Sequence, residues 1–111
     1  MEKMTVDQLN QDAMQIILHA GDARKMLQDA VKATCEDQNR ETVDELLKEA
    51  KKELVKAHNI QTADIQDSVT EQDQVTCLLF THAQDTLMTI NSEMLMVKNM
   101  IDLYRKLEGG K

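Results

Sequence analysis

Residues 80–104, FTHAQDTLMTINSEMLMVKNMIDLY, place Phe80, Ala83, Leu87, Ile90, Met94, Val97, Ile101 and Tyr104 at alternating steps of three and four. Apolar residues at that spacing share one face of an α-helix, and a strict heptad is enough to dock that helix against others. A second apolar stripe, Leu78, Met96, Leu103 and Leu107, falls roughly 150° to 160° from the first when successive residues turn by about 100°. Asp85 lies in the same outer sector. One small bundle cannot cover both stripes, so the second predicts a partner surface and a homo-oligomer built on this helix. The alternative is that these residues merely widen the core face.

Outward from this helix, Leu9, Ala13, Ile16, Ala20, Ala23, Leu27 and Ala30 repeat the three-and-four spacing and predict a long helix over about 5–33. Gly21 weakens that helix unless a close packing contact needs it. The polar run Cys35 to Arg40 ends the pattern. A second helix resumes near Asn39 or Arg40, with Thr42 and Glu45 as a candidate capping box, and buries Val43, Leu47, Ala50, Leu54 and Ala57 before fading near Ile65. QDSVTEQDQ, residues 66–74, has Val69 as its only apolar residue and reads as a connection. The expected helices are about 5–33, 40–65 and 75–108. They form one domain over 1–111, an all-α antiparallel three-helix bundle.

Composition narrows the function. The chain has no Pro, only 3 Gly and a formal net charge of −7, which suits helices and disfavours nucleic acid or an anionic membrane as partner. Cys35 and Cys77 lack CxxC spacing and read as reduced thiols of a cytosolic protein. The longest apolar runs, Cys77 to Phe80 and Met94 to Val97, are too short for membrane insertion or a signal peptide. A soluble, cytoplasmic protein is expected.

Most catalytic signatures are missing from the sequence. There is no GxxxxGK[ST] loop, no HExxH pair and no GxSxG elbow. Asp64, Asp67 and Asp73 have no glycine between them to make a calcium-loop turn. Cys77 and His82 stand i,i+5 and point ~140° apart on a helix, which defeats a thiol–base dyad. Among the histidines, His82 sits at the margin of the third helix's core stripe with Asp85 one turn onward, a pair that shares a face. His58 in AHNIQT reads as a hydrogen-bonded structural histidine. His19 reads similarly, with Asp22 and Arg24 as a surface charge pattern.

The segment Leu78-Leu79-Phe80-Thr81-His82-Ala83-Gln84-Asp85-Thr86-Leu87-Met88-Thr89 resembles LLLVHAQDHLMT, the hallmark of the lactose/cellobiose enzyme IIA proteins of bacterial sugar phosphotransferase systems. Ala20-Gly21-Asp22-Ala23-Arg24 and Ala57-His58-Asn59-Ile60-Gln61-Thr62 agree with the same family in kind and order. The resemblance implies a homotrimer of three-helix subunits, nine helices in all. It implies a phosphocarrier in which His82 accepts a phosphoryl group from HPr and passes it to a cysteine of enzyme IIB, during uptake of a β-linked disaccharide of lactose, cellobiose or chitobiose type.

In that family the aspartate matching Asp85 binds a metal on the trimer axis, one carboxylate per subunit. Mg²⁺ suits such an oxygen-rich site. Gln84 is a supporting candidate for stabilising the phosphoryl group. The sequence departs from the family at Thr86, where a second histidine is usual, and in the connection before the third helix, which lacks its common glycine. The competing reading is a helical adaptor that keeps the fold without phosphotransfer.

Overall fold

A computed structural model describes residues 5–70 and 78–109, with side chains described for 5–66 and 78–109. Three helices follow one another: α1, Val6–Cys35; α2, Arg40–Thr70; and α3, Leu78–Gly109. No strand occurs among the described residues. The order is up, down, up, so α1 and α3 run parallel. Two links between them show it: Arg24 meets Glu93 in the middle, and Tyr104 meets Asp37 where both chains end their climb.

Both ends of α1 and the start of α2 have a local cause. Thr5 caps α1: its hydroxyl accepts the Gln8 N–H at 3.1 Å while the Gln8 side chain accepts the Thr5 N–H at 2.9 Å, a reciprocal capping box. At the other end the Asp37 N–H donates to the Thr34 carbonyl and the Gln38 N–H to the Ala33 carbonyl. This is a Schellman closure. Its left-handed residue is Asp37, with φ 56°, a position usually given to glycine. The Asp37 carboxylate is in turn anchored by the Tyr104 hydroxyl at 2.8 Å.

The second helix starts from Asn39, whose Oδ1 accepts the Glu41 N–H at 2.9 Å and whose carbonyl accepts the Val43 N–H. Asn39 therefore does the capping that the sequence reading gave to Thr42 and Glu45, which lie inside the helix. The same helix also outruns its expected end near Ile65 and continues to Thr70. Asp64 explains the misreading: it follows Ala57 by one heptad and is buried at 3 % exposure, so a carboxylate takes a core position and the apolar pattern stops before the helix does. The rest of the expected connection, together with Cys77, lies outside the described residues.

Both α2 and α3 pack on α1 and touch each other far less. The main core joins Leu9, Ile16, Leu27, Leu54, Phe80, Leu87 and Ile90 with a row of alanines. A smaller cluster of Ala30, Ala33, Val43 and Ile101 closes the turn end. Alanine at Ala13, Ala20 and Ala23, all fully buried, lets the helix axes approach closely. Gly21 falls on the first of the two expected branches, a helical glycine that only weakens α1. A Cβ built there would meet nothing within 4 Å, so no packing contact requires it.

Candidate functional site

The first stripe of α3 is the core face: Phe80, Ala83, Leu87, Ile90, Met94 and Ile101 are buried, with Val97 and Tyr104 half-buried at its edge. The second stripe does not widen that face. Leu78, Met96, Leu103 and Leu107 are 58–85 % exposed, and Met88, Leu95 and Met100 join them. The outer side of α3 is thus an apolar surface that the described residues leave uncovered.

His82 is exposed at the start of α3, in the second turn. The Cα–Cβ bond of a helical residue tilts toward the N-terminus, which leans the imidazole toward the turn before it. With Leu78, Leu79, Thr81 and Asp85 it lines an open depression. Asp85 is exposed one turn on. The backbone beneath both residues is held by hydroxyls: Thr86 Oγ1 donates to the His82 carbonyl at 2.9 Å, and Thr89 Oγ1 donates to the Asp85 carbonyl at 2.8 Å.

Gln84 is half-buried and stands two residues from His82. Residues i and i+2 of a helix do not face each other, so the fold does not bring Gln84 to the imidazole of its own chain. Among the described residues no three His, Cys, Asp or Glu side chains of the chain converge as a metal-binding group. A cation at Asp85 would therefore need carboxylates from more than one chain.

The other two histidines separate. His19, in α1, places Nδ1 2.6 Å from Glu53 Oε2 in α2, and Lys56 reaches the second carboxylate oxygen at 3.1 Å. The His19 contact first, then Lys56, holds the Glu53 carboxyl below its ordinary range. His58 is exposed, and the hydrogen-bonded structural role expected for it is not found. Its place on the outer side of α2 leaves it in water.

Arg24 is more than part of a surface charge pattern. Nε and Nη2 grip both oxygens of Glu93 at 2.9 Å, fastening α1 to α3, and that hydrogen bonding raises the guanidinium pKa above its usual value. The pair borders a groove between α1 and α3 lined by Leu27, Val31, Met96 and Met100. Such partners are invisible in a linear pattern because their spacing, 69 residues, carries no periodic signal. Cys35 is an exposed free thiol. No described helix is long and apolar enough to cross a membrane.

Comparison with known proteins places this geometry. The family model described as the lactose/cellobiose-specific IIA subunit of the phosphotransferase system matches residues 11–105. The lichenan-specific phosphotransferase enzyme IIA component of Bacillus subtilis (strain 168) is 35 % identical over 101 residues, 91 % of each chain. The oligo-beta-mannoside-specific EIIA component of the same strain is 34 % identical over 107 residues, 95 % of this chain and 96 % of that one. The crystal structure of the cellobiose-specific enzyme IIA from Bacillus anthracis superposes with a TM-score of 0.84 at 31 % identity, covering 97 % of this chain and 96 % of the other.

Proposed function

Since the chain belongs to the lactose/cellobiose-specific IIA family of the sugar phosphotransferase system, whose members serve phosphotransfer in sugar uptake, we propose that His82 is its phosphoryl acceptor. The exposed imidazole at the start of α3 carries this reading. Imidazoles near neutral pH are largely unprotonated on one nitrogen, and histidine can hold a covalent intermediate. That lone pair attacks phosphorus as the N–P bond of phospho-HPr breaks, leaving HPr with a free imidazole. In the second step a cysteine thiolate of enzyme IIB attacks the phosphoryl group, the His82 N–P bond breaks, and the imidazole is regenerated.

Little else is required of the chain. Phosphoryl transfer depends on positioning and on stabilising charge on the equatorial oxygens. The fixed backbone under His82 supplies positioning. Gln84 acts only from a neighbouring subunit. The sugar is a β-linked disaccharide of lactose, cellobiose or chitobiose type, and exchange with HPr and enzyme IIB calls for a cytoplasmic protein.

The uncovered face of α3 is the contact surface of a homotrimer. Three Asp85 carboxylates then meet on the axis, where their repulsion needs protonation or a cation. One exposed carboxylate per chain on that face fits a shared site for Mg²⁺, which prefers oxygen donors and retains water. When bound, the ion would offset most of the clustered charge.

The test is direct: incubate the protein with phosphoenolpyruvate, enzyme I and HPr, record intact mass, and repeat with His82→Ala. One acid-labile phosphoryl group on the parent only is the expected result. A folded parent that stays unmodified beside a working control carrier removes phosphotransfer and leaves the adaptor reading.

A further inference from the structure

The groove between α1 and α3 has a volume of about 700 Å³ and is walled by Leu27, Val31, Met96, Val97 and Met100. Its two charged groups, Arg24 and Glu93, hold each other through both carboxylate oxygens, so it offers an occupant apolar contact and no unpaired charge. Met96 and Met100 line the groove and are 58 % and 52 % exposed. They also belong to the uncovered face of α3, so groove and face form one continuous surface. The seven large apolar residues that α3 leaves more than half exposed present on the order of 100 Å² each, about 700 Å² together, close to the ~800 Å² per partner of a standard interface. An apolar surface of that size calls for a protein occupant rather than a small ligand.

Groove and remaining face lie on opposite flanks of α3. Glu93, bonded to Arg24, marks the flank toward α1. At about 100° per residue, Thr89, Met96 and Met100 lie roughly 120° to 160° from the middle of the core face on that flank, and Leu95 lies roughly 100° from it on the other. Heights can be compared as well. Arg24 sits beside Glu93, 69 residues on, so the α1 wall from Arg24 to Val31 is level with residues 93–100 of α3. Tyr104 and Asp37, 67 residues apart, keep the two helices in step to the turn end. Leu95, 62 % exposed, falls inside that span, whereas Met88 on the same flank lies below it.

Copies arranged in a ring about an axis parallel to α3 keep every residue at its own height. They also turn one flank of each α3 toward the opposite flank of the next, a heterologous contact that closes. We propose that Leu95 of one copy seats in the α1–α3 groove of the next, between Leu27 and Val31 on one wall and Met96 and Met100 on the other. This rests on the trimer reading above and names the contact repeated around the ring: α1, and not α3 alone, receives the neighbouring chain. The Arg24–Glu93 pair then has a second use, since by tying α1 to α3 it fixes the width of the groove.

Cross-linking tests the seating. Gln28 is exposed on the α1 side of the groove, so Gln28→Cys and Leu95→Cys are combined in a chain carrying Cys35→Ser and Cys77→Ser and treated with a short bis-maleimide. Covalent dimers and trimers on a denaturing gel are expected from the pair, with each single cysteine variant remaining monomeric on the gel. A pair that sediments as a trimer yet forms no link between chains overturns the seating of Leu95 and leaves the trimer reading standing. A wild type that sediments as a monomer or dimer overturns the trimer reading itself. Should the cysteine pair fail to fold, Leu95→Glu decides: it keeps its helical circular dichroism, because Leu95 is mostly exposed in a single chain, and its trimer dissociates at least tenfold more readily. An unchanged dissociation constant overturns the proposal.

Discussion

Leu87 and Met88 are neighbours in sequence and opposites in the fold, and truncating each to alanine separates the two faces of α3. Leu87 is fully buried in the main core, so Leu87→Ala loses the transfer free energy of the removed carbons and leaves a cavity among packed helices. Together these cost about 3 kcal/mol. With an m-value of ~1.5 kcal/mol/M, the urea midpoint falls by about 2 M. Met88 is 65 % exposed, so Met88→Ala in a dissociated chain stays within about 0.5 kcal/mol of wild type. Its loss falls on association instead, as a raised dissociation constant. Urea unfolding followed at 222 nm suits a chain with no Trp, and sedimentation at matched concentrations reads the association. Should Leu87→Ala cost less than about 1 kcal/mol, or Met88→Ala destabilise the dissociated chain equally, the division of α3 into a core face and a contact face is wrong.

Gly21→Ala should stabilise the chain by about 0.5–1 kcal/mol in thermal unfolding, because the glycine is helical, has open space around it and gives up excess freedom on folding; a destabilised variant would mean that something covers this site. Glu53 has a depressed folded-state pKa, so its contribution is present above the unfolded value of 4.5 and is lost as pH falls through the folded value. Wild type should therefore exceed Glu53→Gln in Tm at pH 6 and converge with it in acid; a constant gap from pH 6 to 3 contradicts the linkage. Thr86→Val should leave the rate of His82 phosphorylation within about twofold, since the Thr86 proton is already donated to a backbone carbonyl; a tenfold loss in a phosphate-transfer assay would give the hydroxyl a direct part. Asp85→Leu should keep the trimer, with apolar surface replacing axial charge, and a monomer by sedimentation would contradict it.

Periodicity made the three helices and nearly all of the core legible. Leu9 through Ala30 on α1 and Phe80 through Ile101 on α3, Val97 only half so, are buried at the positions their spacing assigns. The outer stripe was legible too, because a helix with two apolar faces cannot bury both in one small bundle. What the pattern concealed was polar. Asp64 in a core position cut α2 short on paper. Asn39 caps α2 in place of Thr42 because the choice among neighbouring cap residues depends on where the chain leaves the Asp37 turn. Arg24 with Glu93 and His19 with Glu53 join residues far apart in sequence, and only folded geometry pairs them. For the candidate site, the HAQD segment supplied His82 and Asp85 as positions, while the hydroxyl bonds beneath them from Thr86 and Thr89 came from the structure.

Tyr104 is the sole tyrosine in a chain without tryptophan, and its bond to Asp37, then burial, push its hydroxyl pKa up to about 12. The near-ultraviolet spectrum of the protein is consequently dominated by a single chromophore at the turn end of the bundle, 22 residues and ~33 Å of helix from His82. Optical signals from this chromophore are deaf to local events at His82. Any change they register on phosphorylation has been transmitted along the length of α3.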